Sequence, residues 1–182
     1  MMIFVTVGSQ MPFDRLISAV DAWAGARGRD DLVAQIGETE LEPRSLTWSQ
    51  RLSATEFERH CRDATAIVAH AGMGSILTAL QYGTPILVMP RRADRRETRN
   101  DHQVATATRL AERGLVHVAM DDDDLPAQLD RLGELDASSR ISADASPQLL
   151  VAIREAIDEA APRCGSASSP TGRSRCRSVT AT

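Results

Sequence analysis

Two glycines, Gly72 and Gly74, stand in a short segment, residues 70–75, between an apolar run and a run with helical spacing. This order predicts a buried strand, a glycine-rich turn and a helix. Glycine lets a ligand approach the backbone closely because it has no Cβ, and the first N–H groups of a helix attract anions. The segment is therefore a candidate phosphate or diphosphate site, although such turns also occur where packing requires small residues.

A second polar segment follows the next predicted strand, residues 86–89, and ends at Asn100. A helix is expected to begin at Asp101. Asn100 and Gln103 have the spacing of a capping box, whereas His102 has no such structural role and is the better candidate for a ligand contact. Because the carboxyl ends of parallel strands meet at one edge of a sheet, both polar segments should line the same ligand site.

The second polar segment is also strongly basic, and two interpretations of its charge stay open. Arg91 and Arg92 could clamp the charge of a diphosphate or contact anionic lipid headgroups. Alternatively, the segment is a solvated loop in which Asp94 and Glu97 neutralise part of the charge. The arginines of the segment are Arg91, Arg92, Arg95, Arg96 and Arg99.

Three other polar features have a structural as well as a chemical interpretation. His70 ends a predicted buried strand, where it could be a core histidine bonded to a backbone carbonyl or a residue that acts on a ligand. Asp14 lies in the first turn of a predicted helix, where carboxylates are common, but it could serve as a catalytic base. The acidic run at residues 121–124 is more simply a helix cap and solvated turn than a metal site, because no second cluster of ligands is evident.

Size and charge restrict the class of protein. The chain has 182 residues and a net charge of −4, which suits one domain and argues against nucleic-acid binding. Its three cysteines form no Cys-x-x-Cys pair, which indicates a reducing compartment and no structural zinc. The sequence shows no signal-peptide pattern and no apolar run of membrane-spanning length. We expect a cytoplasmic protein, held at a membrane only through a partner.

Apolar runs alternate with segments of helical spacing, which predicts an α/β fold with a doubly wound, Rossmann-like parallel sheet. The domain should extend over residues 1–161, with its last helix at 147–161. A tail rich in Ser and Arg, residues 162–182, should be disordered. Strands are predicted at 3–7, 32–36, 45–48, 66–69, 86–89 and 115–119.

Several segments together resemble the C-terminal, donor-binding domain of family 28 glycosyltransferases, and in particular the small stand-alone members of that family. The resemblance covers about residues 3–135. It implies a single lobe of the GT-B fold that binds a sugar attached to uridine diphosphate (UDP). The segments that carry it are Phe4–Ser9, Pro12–Asp14, His70–Ser75, Gly83-x-Pro85 and Asn100-x-His-Gln103.

The resemblance also implies roles for individual residues. His70 would support the glycine turn or approach the sugar phosphate as the catalytic residue. Thr78 stands where the family often has a glutamate that binds the ribose hydroxyls, and its shorter side chain implies a weaker contact. The residues implied for the diphosphate are Gly72, Met73, Gly74 and Ser75, and those implied for the donor sugar or nucleotide are Gly8, Ser9, Thr78, Asn100, His102 and Gln103.

Two functions are compatible with this resemblance. In the first, the chain is the donor-binding subunit of a two-part glycosyltransferase. It would work with a membrane-anchored, acceptor-binding subunit on a lipid-linked saccharide acceptor, without a metal or cofactor. In the second, it is a non-catalytic nucleotide-sugar-binding or regulatory module that stabilises a partner transferase. A dehydrogenase is disfavoured, because the first turn, residues 7–12, lacks a Gly-x-Gly-x-x-Gly pattern.

Overall fold

A parallel sheet of six strands forms the centre of residues 2–135, the part of the chain that this computed structural model describes. The strand order is β3-β2-β1-β4-β5-β6, so the chain reverses direction across the sheet after β3 and returns to the other side of β1. Ile3 in β1 pairs with Leu32 of β2 on one side and with Ala66 of β4 on the other. The strands are β1 (Ile3–Thr6), β2 (Leu32–Gln35), β3 (Thr47–Ser49), β4 (Ala66–His70), β5 (Ile86–Met89) and β6 (His117–Val118).

Helices cover both faces of the sheet, because successive strand residues point to opposite sides. In β1, Ile3 and Val5 pack with the helix after β1 and the last helix, whereas Phe4 packs with the middle helices. The predicted doubly wound α/β fold is therefore confirmed. The helices are α1 (Asp14–Arg27), α2 (Ala54–Asp63), α3 (Met73–Tyr82), α4 (His102–Glu112) and α5 (Leu125–Asp130), and a short 3₁₀ turn, Leu132–Glu134, follows α5.

Helix α3 begins earlier than the sequence predicted. Gly72 is its N-cap and Gly74 lies in its first turn, although both glycines were expected in the preceding turn. Gly83, in the left-handed conformation, ends the helix. The early start matters because it places the N-terminal N–H groups of α3 directly at the end of β4.

The capping box predicted at α4 is wrong. Asp101 is the N-cap, and the Gln103 side chain accepts a hydrogen bond from the Arg91 backbone N–H at 3.1 Å instead of reaching back to Asn100. The capping box at the start of α2 is present, with Ser53 and Glu56 bonded to each other's backbone N–H groups. The Gln103 side chain is buried against the loop after β5, and this tertiary contact takes the place of the local capping box at α4.

Some predictions fall outside the described residues. These are the last helix of the domain, predicted at residues 147–161, and the disordered tail, predicted at residues 162–182. Within residues 2–135, no helix combines the length and apolar character that a bilayer crossing requires.

Candidate functional site

A cleft of about 740 Å³ lies at the carboxyl edge of the sheet, within the size range of small-molecule sites. Its walls come from the segments that follow β1, β3, β4 and β5, together with Gln35 at the end of β2. This is the edge on which the two polar segments were expected to meet. The strand order reverses here, which is where open α/β sheets bind ligands.

The N-terminus of α3 faces the cleft without a side-chain cap. The Gly72 N–H bonds to the His70 carbonyl at 2.8 Å, but the N–H groups of Met73, Gly74 and Ser75 have no partner in the described part of the chain. A Cβ added to Gly74 would meet no heavy atom within 4 Å. The helix therefore presents free donors and open space to the cleft, which is an arrangement suited to an anion.

His70 fills the space between two glycines. A Cβ added to Gly72 would lie 2.1 Å from its Nε2, and a Cβ added to Gly8 would lie 2.6 Å from its Cε1. Burial, and next the positive charge of Arg91, lower the pKa of His70 from 6.5 to about 4. The buried Nδ1 makes no hydrogen bond of ordinary geometry within residues 2–135, and a backbone contact with Thr6 only partly opposes the fall in the pKa of His70. At neutral pH the ring is uncharged, so it can exchange a hydrogen bond with a ligand but adds no positive charge.

Arg91 is a buried cation in the wall of the cleft, only 4% exposed. Its Nη2 donates to the carbonyls of Val7 at 2.9 Å and Met11 at 2.6 Å, and its guanidinium lies over the Phe13 ring. Its buried Nε has no partner, and it forms no ion pair with a carboxylate in residues 2–135. Burial lowers the pKa of Arg91, but a guanidinium stays protonated in proteins. The cleft thus contains a buried guanidinium that forms no direct ion pair, while the nearby charge of Glu97, which is itself bonded to Arg15, partly compensates it.

The other arginines of the basic loop differ from Arg91. Arg92 bonds to Asp94 at 3.1 Å and does not line the cleft, and Arg95 bonds to Asp122 at 2.9 Å. For these two residues the geometry favours the solvated, partly neutralised loop. The predicted pair of clamp residues is therefore separated: Arg91 lies at the cleft and Arg92 does not.

The structure brings most of the predicted site residues together, but not Asn100. Its Oδ1 contacts the backbone N–H and ring of His102, and the residue itself lies outside the cleft wall. Thr78 is at the cleft, where its hydroxyl donates to the Gly74 carbonyl at 2.9 Å. The predicted residues that line the cleft are Gly8, Ser9, His70, Gly72, Met73, Gly74, Ser75, Thr78, Arg91, His102 and Gln103.

One wall of the cleft was missed by the sequence analysis. It comes from the start of α2 and includes the apolar side chains of Leu52 and Phe57 and the carboxylate of Glu58. The capping box at Ser53 explained the polar residues of this segment locally, so nothing in the sequence marked them as facing a ligand. Their position follows from the path of α2 along the sheet edge.

A buried polar pair under the first turn was also missed. The Thr6 hydroxyl donates to Gln35 Oε1 at 2.8 Å, and the Gly8 N–H donates to the Thr6 hydroxyl oxygen at 3.1 Å. The pair fixes the loop after β1 at the cleft. Polar residues inside two apolar strands were the signal that could have revealed it.

The other acidic candidates lie elsewhere. Asp14 accepts a hydrogen bond from Thr39 at 2.8 Å and does not line the cleft. In the acidic run, Asp121 accepts from the N–H groups of Asp123 and Asp124, which is a local turn. No group of three or more potential metal ligands occurs among the residues that the structure describes.

Comparisons with known proteins agree with this geometry. The model of the glycosyltransferase family 28 C-terminal domain matches residues 2–158. The human UDP-N-acetylglucosamine transferase subunit ALG13 is 30% identical over 122 residues, which are 62% of this chain and 10% of that protein. The chain thus spans about a tenth of the length of this curated relative.

Solved structures show the same fold. The NMR structure of ALG13 superimposes with a TM-score of 0.56 at 19% identity, covering 86% of this chain and 96% of that one. MurG from Acinetobacter baumannii gives 0.59 at 16% identity, and the calicheamicin glycosyltransferase CalG4 gives 0.57 at 20%. The match to MurG covers 87% of this chain and 50% of MurG. The match to CalG4 covers 88% of this chain and 44% of CalG4. With the family model matched over most of its length, the chain belongs to glycosyltransferase family 28, as a C-terminal domain of GT-B architecture.

Proposed function

We propose that the chain binds a UDP-sugar and transfers the sugar to a lipid-linked saccharide acceptor, together with a membrane-anchored partner subunit. The observation that carries this proposal is the convergence of two anion-binding features in one cleft. The uncapped N-terminus of α3 provides free N–H donors, and Arg91 provides a buried positive charge that forms no direct ion pair. A diphosphate has the charge and the acceptor oxygens to satisfy both.

The same features suit the transfer reaction. When the bond from the sugar to the diphosphate breaks, negative charge grows on the departing diphosphate. Fixed donors and a positive charge in a cleft stabilise that charge without rearranging as it develops. The neutral ring of His70, locked between Gly8 and Gly72, would complete this environment as a hydrogen-bonding group beside the sugar phosphate. No resident metal or cofactor is part of this proposal.

The surface at the mouth of the cleft supports a partner. Met11 and Met73 line the cleft and are each 47% exposed, and Leu77, one turn further along α3, is 45% exposed. Large apolar side chains exposed at a ligand site are typical of a surface that another protein covers. Transfer also needs an acceptor hydroxyl held roughly 3–3.5 Å from the anomeric carbon, and a second wall facing this cleft would hold it. We infer that the partner supplies this wall and recruits the chain to the cytoplasmic face of a membrane.

Calorimetric titration tests the donor assignment. Because the curated relative is a UDP-N-acetylglucosamine transferase subunit, UDP and UDP-N-acetylglucosamine are the first ligands to test, with UDP-glucuronate as the alternative donor. A ligand that binds the native state also raises the melting temperature. If none of the three binds at millimolar concentration, with the partner present or absent, the donor-site assignment is wrong.

A reconstitution separates the enzyme from the regulatory module. Thr78, whose hydroxyl donates a hydrogen bond to the Gly74 carbonyl, is the feature that favours a purely binding role. The complex with the acceptor-binding partner is expected to transfer sugar, and the chain alone is expected to bind donor without transferring it. Full transferase activity of the partner alone would identify this chain as a module that is not needed for the chemistry.

A further inference from the structure

Two arginines contact the same aromatic ring, but they differ in their counter-ions. The guanidinium groups of Arg15 and Arg91 both lie over the Phe13 ring, each 5.1 Å from its centre. Arg15 bonds to the carboxylates of Glu97 and Asp122, whereas Arg91 forms no direct ion pair within residues 2–135. Arg91 lines the cleft and Arg15 does not. The cation that a ligand can reach is therefore the one that no carboxylate neutralises directly.

Glu97 also lines the cleft, yet Arg15 binds both of its carboxylate oxygens. Arg15 Nε donates to Oε1 at 2.7 Å and Nη2 donates to Oε2 at 2.9 Å, which is the forked geometry of a strong arginine–carboxylate pair. The side chains of Arg15 and Glu97 are only 11% and 14% exposed, so salt and water screen the pair little. Arg15 thus fixes a carboxylate that would otherwise be able to turn within the cleft.

The Glu97 carboxylate lies close to Arg91 without bonding to it. It accepts from the Arg92 backbone N–H at 2.9 Å, and it shares Arg15 with the Pro90 carbonyl, which accepts from Nη2 at 3.2 Å. Burial lowers the pKa of Arg91, and the charge of Glu97 opposes part of this fall. The buried Nε of Arg91 has no partner in the described part of the chain, so it is a donor that a released carboxylate could bond.

We propose that Arg15 is a positioning residue that holds Glu97 away from Arg91 and so keeps Arg91 available to the diphosphate. This inference rests on the proposed donor site. If Glu97 bonded to Arg91, the pair would be close to neutral, and the carboxylate would also repel the phosphates. Arg15 prevents both effects although it lies outside the cleft wall.

The turn that carries Glu97 has backbone hydrogen bonds of its own. The Glu97 N–H donates to the Arg92 carbonyl at 3.2 Å. The Arg96 N–H donates to the Ala93 carbonyl at 3.0 Å. Loss of Arg15 should therefore release the Glu97 side chain and leave the backbone of the turn in place.

Titration calorimetry with UDP tests this role in the full chain. Arg15→Met should weaken UDP binding about ten-fold, as the loss of a charged hydrogen-bond partner for the phosphates implies. In the double variant Arg15→Met/Glu97→Gln the carboxylate is gone, and the affinity should return to within about three-fold of the wild type. If Arg15 only stabilised the loop, the second substitution would restore nothing, because the ion pair is absent from both variants.

Arg27 and Asp130 form the matched control pair. Arg27 is on the same helix as Arg15, donates to the Asp130 carboxylate through Nε and Nη2, and does not line the cleft. Arg27→Met removes the same charge, and its UDP affinity should stay within about three-fold of the wild type. An equal loss in Arg27→Met and Arg15→Met would be an effect of net charge and would overturn the role of Arg15.

The outcomes separate this inference from the donor site. If the wild type binds UDP and Arg15→Met binds it as tightly, or if the double variant stays weak, the inference is wrong and the donor site stands. If the wild type does not bind UDP, both proposals fail.

Glu97→Gln alone decides the question if Arg15→Met does not fold. The glutamine keeps an acceptor oxygen for Arg15 but has no charge to oppose a phosphate. This variant should bind UDP no more weakly than the wild type. A clear loss of affinity would show that the site needs the carboxylate, which contradicts the inference.

Discussion

The imidazole of His70 occupies the space that a side chain on Gly72 would need: a Cβ there would lie 2.1 Å from Nε2. The ring and the N-cap of α3 therefore depend on each other. Any residue other than glycine at position 72 must displace the ring, and a displaced ring can no longer pack between Gly8 and the start of the helix. The end of β4 and the start of α3 thus form a single unit.

Gly72→Ala should lower the free energy of unfolding by roughly 1–3 kcal/mol, the usual cost of an overpacked core. Urea denaturation measures the loss. In the double variant Gly72→Ala/His70→Ala the ring is gone, and the two losses should be clearly less than additive. Additive losses would show that the two residues do not depend on each other.

Gly74→Ala should have the opposite effect on stability, because alanine in a helix is favoured over glycine by up to about 1 kcal/mol and the added Cβ meets open space. The same Cβ projects into the space where the diphosphate is proposed to bind. UDP affinity should fall, and Gly74→Val should abolish it. A stabilised Gly74→Ala variant with wild-type UDP affinity would place the diphosphate elsewhere.

Removal of Arg91 should weaken both fold and binding. Arg91→Met leaves the buried carbonyl of Val7 and the half-buried carbonyl of Met11 without this donor, which should lower the free energy of unfolding by roughly 1–3 kcal/mol. UDP binding should weaken at least about ten-fold. Arg92→Met is the matched control, and because its charge is exposed and paired with Asp94, its stability should change by less than about 1 kcal/mol. Equal loss of UDP binding in the two variants would contradict the assignment of Arg91.

The depressed pKa of His70 predicts how stability depends on pH. The unfolded chain takes up a proton near 6.5 and the folded chain only near 4, so protons favour the unfolded state between these values. The contribution is fully present above pH 6.5 and is lost as pH falls toward 4. It amounts to roughly 3 kcal/mol.

Urea denaturation at several pH values measures this dependence. His60, whose pKa burial also lowers, acts in the same direction, so the comparison must be made with His70→Gln, which keeps His60. The variant should lose most of the slope between pH 6.5 and 4. An unchanged slope would show that His70 is protonated as easily in the folded chain as in the unfolded one.

Thr78→Val should change UDP affinity by less than about three-fold, because the Thr78 hydroxyl already donates its hydrogen bond to the Gly74 carbonyl. Valine has nearly the same shape, so the helix should be retained. Titration calorimetry with UDP gives the comparison. A loss of ten-fold or more would make Thr78 a principal nucleotide contact.

Local patterns in the sequence were sufficient for the sheet and for the glycine segment, but not for the whole site. The apolar strands and the capping box at Ser53 depend on residues near each other in sequence, and these predictions are confirmed. Arg91, in contrast, donates hydrogen bonds to carbonyls more than 70 residues away in the sequence. Gln103, which was predicted to cap its own helix, instead accepts a hydrogen bond from the backbone N–H of Arg91. Glu58 lines the cleft because α2 runs along this edge of the sheet, and the residues next to it in the sequence do not indicate that position.

The position of β1 in the sheet has a consequence for synthesis on the ribosome. Strand β1 is made before the other strands of this sheet but lies in its middle, and it gains its second neighbour only when β4, which begins at Ala66, has emerged. Arg91 and its buried partner Gln103 are made later still. A nascent chain that ends before α4 therefore lacks the residue that holds the loop after β5, and ligand binding should arise late in translation, after most of the sheet has formed.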